Sequence, residues 1–298
     1  MRYQSRPVLR DPVLVAAFQG WNDGGSAATL AAGFLRTSLD AERFAVIEPD
    51  EYIDFQQTRP HVSLRDGGTR EITWPETEFF HAALPGSRRD ILLCIGAEPN
   101  LRWRAFAAEI TDLALTSGVT LVVTLGGLLA DTPHTRPVPV SGAAHDPALA
   151  RRLDLRPSRY EGPTGIVGVL HDALAREGVA SASLWAAVPH YIAANANPPA
   201  ALALVRELER VLSVTLDPAE LETASRAFMN QVQQVLDQDE ETQAYVHELE
   251  GREWDDDAED SEPPTSEQSP PIPTGDELAE ELQRFLRERR EQRDPPSS

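Results

Sequence analysis

The stretch VTLVVTLGGLLADTPHTRPVPVSG, from Val119 to Gly142, brings Asp131, His134 and Arg136 together just beyond an apolar run. A carboxylate, an imidazole and a guanidinium in one loop are enough for general acid/base hydrolysis or for holding a small anion. Gly126 and Gly127 read as turn formers ahead of them, and Pro133, Pro137 and Pro139 stiffen the loop itself.

Three further segments carry similar chemistry. Gln19-Gly20-Trp21-Asn22-Asp23-Gly24-Gly25-Ser26 precedes an Ala-rich helix, so Asn22, Asp23 or Ser26 can cap it, or its free amides can hold an anion. Asp23 favours capping, because its carboxylate stands where the anion would sit. Tyr160, Glu161, Gly162 and Gly165 lead into the helix 166–176, and His190 and Tyr191 follow a strand near 183–188. If the four segments converge, they line one pocket.

The elements that must position these groups alternate. Apolar runs predict strands at Val13 to Phe18, Phe44 to Ile47, Ile91 to Ile95, Val119 to Leu125 and Ser183 to Val188. Between them, amphipathic stretches predict helices at Ser26 to Ser38, Leu101 to Ser117, Ile166 to Arg176 and Pro199 to Leu212. The expected class is therefore α/β, a central mixed, largely parallel sheet flanked by helices, whose ligands gather beyond the carboxyl ends of the strands. His61 to Leu64 and Arg70 to Trp74 flank Asp66-Gly67-Gly68, a hairpin that either extends the sheet or projects from it, at an edge or a subunit interface.

Residues 1–212 form the expected core domain. Asp217-Pro218-Ala219-Glu220 then starts a helix in which Leu221, Ala224, Phe228, Val232, Val235 and Leu236 recur at three and four residues. A second helix near 240–250 completes a helical extension over 213–250, packed on the body. Residues 251–274 are acidic and Pro-rich with almost no apolar content, which predicts a disordered linker. Over 275–291, Leu278, Leu282, Phe285 and Leu286 line one face of an amphipathic helix. Such a helix needs a surface: its own body, a neighbouring subunit or the groove of another protein.

The motifs GWNDGGSAA, VTLGGLLADTPHTRPVPVSG, SRYEGPTGIVGVLHDA and SLWAAVPHYIAANANPPA, in this order, resemble the proteasome assembly chaperone 2 family in its actinobacterial branch. The likeness covers Pro7 to Leu212. It implies a fold similar to nucleoside phosphorylases and hydrolases, a homo-oligomer with three subunits as the best guess, and, from eukaryotic and archaeal relatives, partners related to the proteasome. The chain ends Pro-Pro-Ser-Ser instead of the hydrophobic-tyrosine-any-residue tail by which several proteasome binders insert between subunits.

Composition bounds the rest. All 27 basic residues are Arg. Absence of Lys excludes a P-loop lysine, a Schiff-base lysine and a lysine general base. Net charge is −21, and residues 237–298 hold 21 acidic against 6 basic groups, so the acidity is concentrated in the tail. Nucleic acid and anionic membrane are therefore poor partners. No segment is long and apolar enough to span a bilayer, and MRYQSRPVLRDP lacks the apolar core of a secretory signal, which points to the cytoplasm. Cys94 sits in a strand as a core residue, His171-Asp172 reads as a surface pair or a helix-packing contact, and neither a metal site nor a cofactor is expected. The sequence leaves two functions: a homo-oligomeric, assembly-chaperone-like binding protein, or a hydrolase or nucleoside-like ligand binder using the strand-end pocket.

Overall fold

A computed structural model describes residues 1–65, 68–157, 161–192, 196–237 and 239–251. Tyr160, most of the expected linker and the expected helix with Leu278, Leu282, Phe285 and Leu286 lie outside them.

Among the described residues, nine strands join one sheet. Their order is β1 (Arg2–Tyr3), β3 (Glu42–Ile47), β6 (Thr77–Ala83), β7 (Asp90–Ala97), β2 (Val13–Gln19), β8 (Leu121–Ala130), β11 (Ser181–Pro189), β9 (Val140–Ala144) and β10 (Arg156–Pro157). The central run β7, β2, β8, β11 is parallel, and antiparallel partners β6 and β9 flank it. The register sets Val13 beside Ile91 and Leu121, and Ser181 beside Val122. The five strands expected from the apolar runs are all present. β1, β6, β9 and β10 are additional; β9 is mostly small residues, VSGAA, whose apolar signal is weak.

Strand β2 explains the layering. Val13, Val15 and Ala17 point into one core, Leu14, Ala16 and Phe18 into the other, as the period of two requires. The first core is closed by α1 (Ala27–Ser38) and α5 (Pro198–Leu212), the second by α2 (Trp103–Thr116) and α4 (Ile166–Arg176). Helix α1 buries Ala27, Ala28, Ala31, Ala32 and Leu35; these small residues let it lie close on the sheet. A short α3 (Pro147–Leu153), capped by Asp146, packs Leu149 and Ala150 into the first core. Asn197 caps α5 by accepting from the Ala200 amide at 3.0 Å.

Beyond the core, α6 (Ala219–Leu236) inserts Leu221 beside α5, and α7 (Glu240–Glu250) joins α6 through Val232, Leu236 and Val246. Strands β4 (His61–Arg65) and β5 (Thr69–Thr73) form a separate two-stranded sheet, so the hairpin does not extend the main one. No helix among the described residues is long and apolar enough to cross a membrane.

Candidate functional site

Gly126 and Gly127 do not turn the chain. β8 runs through both to Ala130 in unbroken register with β11. Each lacks a side chain for a packing reason. A Cβ on Gly126 would stand 2.1 Å from the Trp185 ring, and one on Gly127 would stand 2.5 Å from the Gly24 carbonyl oxygen. The absent Cβ lets Asp23 bridge to Gly127 beside β8, with the Gly127 amide donating to the Asn22 carbonyl at 2.9 Å.

That contact builds a first cluster at the ends of β2 and β7. Asp23 is buried and caps α1: Oδ1 accepts from the Ala28 amide at 2.8 Å and the Thr29 amide at 3.2 Å, and Oδ2 from the Thr29 hydroxyl at 2.5 Å. Burial pushes its carboxyl above the usual range, and the three donors oppose that shift. The helix N-terminus is thus filled by a carboxylate of the chain itself.

Glu98, one residue past β7, ties three loops together. Its Oε2 accepts from the Trp21 amide at 3.3 Å, and its Oε1 from Asn22 Nδ2 at 3.0 Å and from the Ile166 amide at 2.8 Å, which closes the start of α4. Gly20 (φ 147°) and Gly165 make room for this carboxylate; a Cβ on Gly165 would come 2.5 Å from Asn22 and 2.8 Å from Glu98. Gly20, Trp21, Asn22, Asp23 and Gly165 therefore share one neighbourhood, with Glu98 at its centre. Nothing along the chain singles out Glu98, since an isolated Glu after a strand is ordinary; only the folded loops make it a hub.

A second cluster forms beyond β8 and β11. Asp131 Oδ1 lies 3.2 Å from His190 Nδ1 at the surface. The Tyr191 hydroxyl accepts from the His134 amide at 2.7 Å and lies 2.8 Å from His134 Nδ1. Burial lowers the His134 pKa and raises that of Tyr191. Helix α7 covers the group. Tyr245 packs edge-on to His190 and Tyr191 with centroids 5.6 and 6.1 Å away, the Thr135 hydroxyl donates to Glu250 at 2.5 Å, and Arg136 donates to the Glu250 carbonyl. Phe228 and Met229 of α6 close the side, leaving a void of about 10 Å³ against His134. That is room for about one water. A larger open groove, about 230 Å³, lies at the base of the β4–β5 pair, away from both clusters.

The sequence-nominated residues thus fall into two groups. Gly20 to Asp23 with Gly165 form one, and Asp131, His134, Arg136, His190 and Tyr191 form the other. Glu161 and Gly162 are exposed, and Glu161 bonds to neither group among the described residues. This geometry does not support the hydrolase reading, because His134 is buried beneath Phe228 and Met229 with Nδ1 against the Tyr191 hydroxyl, and Arg136 donates to the Glu250 carbonyl.

His171 belongs to neither group. It packs from α4 onto the sheet, Nε2 at 2.9 Å from the Thr124 hydroxyl and Nδ1 at 2.7 Å from that of Ser181, and burial holds its pKa down at about 4. Asp172 points elsewhere, to Arg176 at 2.9 Å. Among the described residues, no cluster of His, Cys, Asp or Glu could hold a metal ion.

The architecture matches known proteins. A model of the PAC2 family matches residues 17–236. The chain belongs to the PAC2 family. A PAC2 family protein from Streptomyces avermitilis is 50% identical, covers 79% of this chain and 100% of its own, and superposes with a TM-score of 0.74. A Mycobacterium tuberculosis proteasome-assembly chaperone homologue is 46% identical over 78% of this chain and 99% of its own, with a TM-score of 0.72. An archaeal proteasome activator from Pyrococcus furiosus shares the fold at 18% identity and a TM-score of 0.65, over 78% of this chain and 97% of its own. No curated protein matches the chain.

Proposed function

We propose that this PAC2 protein is a cytoplasmic, homo-oligomeric assembly factor that binds proteasome-related proteins, with a ring of three subunits as the expected size. The observation that carries this reading is the closure of the strand ends. Where an α/β enzyme keeps an open crevice, Glu98 fills one half here, and α6 and α7 cover the other. Meanwhile large apolar side chains, Trp21, Leu101 and Leu129 among them, stand exposed around those ends, as surfaces that bind proteins do. The 46% identical proteasome-assembly chaperone homologue supports the choice of partner.

The test is affinity capture from native lysate of the source organism with full-length protein and with a chain ending at Leu249, read by mass spectrometry alongside light scattering. Proteasome subunits enriched on the full-length protein are the expected result. A protein that captures no proteasome subunit at any salt concentration overturns the partner, and a monomer overturns the oligomer.

A further inference from the structure

Strands β4 and β5 leave an apolar face bare. Val62 pairs with Ile72 and Leu64 with Arg70, so alternation puts these four side chains on one face. Val62, Leu64 and Ile72 are all exposed on it, Leu64 to 71%, whereas Ser63 and Glu71 on the other face are less exposed. Trp74, edge-on to Phe55 at 5.1 Å, continues the apolar face and is itself 46% exposed. A two-stranded ribbon is marginal in water by itself, and one with its apolar face to solvent lacks its cover.

A second uncovered patch lies at the same end of the sheet. Trp21, 58% exposed, and Leu101 flank the Glu98 hub, and Leu129 stands against Gly24. The approach to the ribbon is tied to this end: the Asn100 and Leu101 amides donate to the Tyr52 carbonyl at 2.9 and 3.0 Å, and the Asp54 amide to Asn100 at 2.8 Å. The ribbon nevertheless leaves its own subunit's Trp21 and Leu101 bare.

Resting on the homo-oligomer reading above, we propose that the β4–β5 ribbon of one subunit docks on the Trp21–Leu101–Leu129 patch of a second copy. Charge selects this occupant. Arg70, without an ion pair among the described residues, sits at the turn end of the ribbon's apolar face, and ribbon-on-ribbon pairing would cover it with a face that holds Val62, Leu64, Ile72 and Arg70 and no carboxylate. The loops at the strand ends offer exposed carboxylates instead, Asp131 and Glu161. Two different patches meeting make a head-to-tail contact, which closes a ring when the rotation permits.

Sedimentation velocity on the full chain tests this with Leu64→Asp, which spoils the ribbon, and Trp21→Asp, which spoils the patch. Each alone is expected to drop from the wild-type assembly to a single 32.7 kDa chain. Their equimolar mixture is expected to form a heterodimer and stop, because it holds one intact ribbon facing one intact patch. Val62→Asp and Leu129→Asp repeat the pair at other exposed positions, and circular dichroism confirms folding. Trp21→Asp assembling like the wild type, or a mixture that stays monomeric, overturns the docking mode while leaving the oligomer intact. A monomeric wild type overturns the oligomer reading itself.

Discussion

Gly126→Ala separates two meanings of the glycine pair. Carbon atoms in contact rest about 3.5 to 4 Å apart, yet the new methyl would sit 2.1, 2.3 and 2.7 Å from three Trp185 ring atoms. The ring or the strand must therefore move by roughly 1 Å or more to restore that spacing. Overpacking of this kind costs about 1 to 3 kcal/mol. Because strand β11 fixes Trp185 directly beside Gly126, the upper end applies. For a domain of this size that is about 6 to 12 °C in Tm. Thermal melts and urea titrations of Gly126→Ala, Trp185→Ala and the double variant form a cycle. The double variant is expected to be more stable than the sum of the two losses by at least about 1 kcal/mol, since removing the ring removes the clash. Gly127→Ala, which meets the backbone oxygen of Gly24, is expected to be no less damaging and to gain nothing from Trp185→Ala. If Gly126→Ala loses the same stability whether or not Trp185 is present, the packing argument is wrong and a backbone requirement must replace it.

Other consequences can be measured directly. Stability is expected to fall as pH drops from about 6.5 toward 4, because neutral His171 is held in the fold while the unfolded chain binds a proton in that window; the loss has a ceiling of about 3 kcal/mol, and His171→Asn should flatten the slope in urea titrations at stepped pH. Asp23→Ala removes the acceptor of two α1 amides and is expected to cost about 1 to 2 kcal/mol in urea melts, with Asp23→Asn milder. Tyr245→Ala should raise amide exchange in α7 and leave β8 unchanged, because the aromatic contact with His190 and Tyr191 anchors that helix. Cys94, fully buried with its thiol pKa pushed up by burial, is expected to react with a thiol reagent only at the rate of unfolding.

Much of the architecture was legible in the residues because it rests on local periodicity. The run Val13 to Phe18 is apolar on both faces and, being short, reads as an interior strand, and Ile166 to Arg176 carries a helical stripe at its observed bounds. A polar cap before the Ala-rich helix was legible, with Asn22, Asp23 and Ser26 all eligible, and the fold uses Asp23. β9 was not legible, since Val140-Ser141-Gly142 shows no period and is held as a strand by pairing with β11. The glycine pair misleads for a related reason: a glycine that turns a chain and one that admits a tryptophan ring look alike until the neighbouring strand is in place.

By itself, then, the sequence determined the alternation of strands and helices, a polar cap ahead of the Ala-rich helix, the acidic tail and the family, each of which depends on neighbours along the chain. The tertiary structure alone decided that Glu98 joins three loops, that α6 and α7 cover His134 and His190, and that the β4–β5 ribbon keeps its apolar face outward. These are contacts between residues far apart in the chain, fixed by how the layers pack, and local periodicity carries no record of which distant side chain arrives at a given strand end.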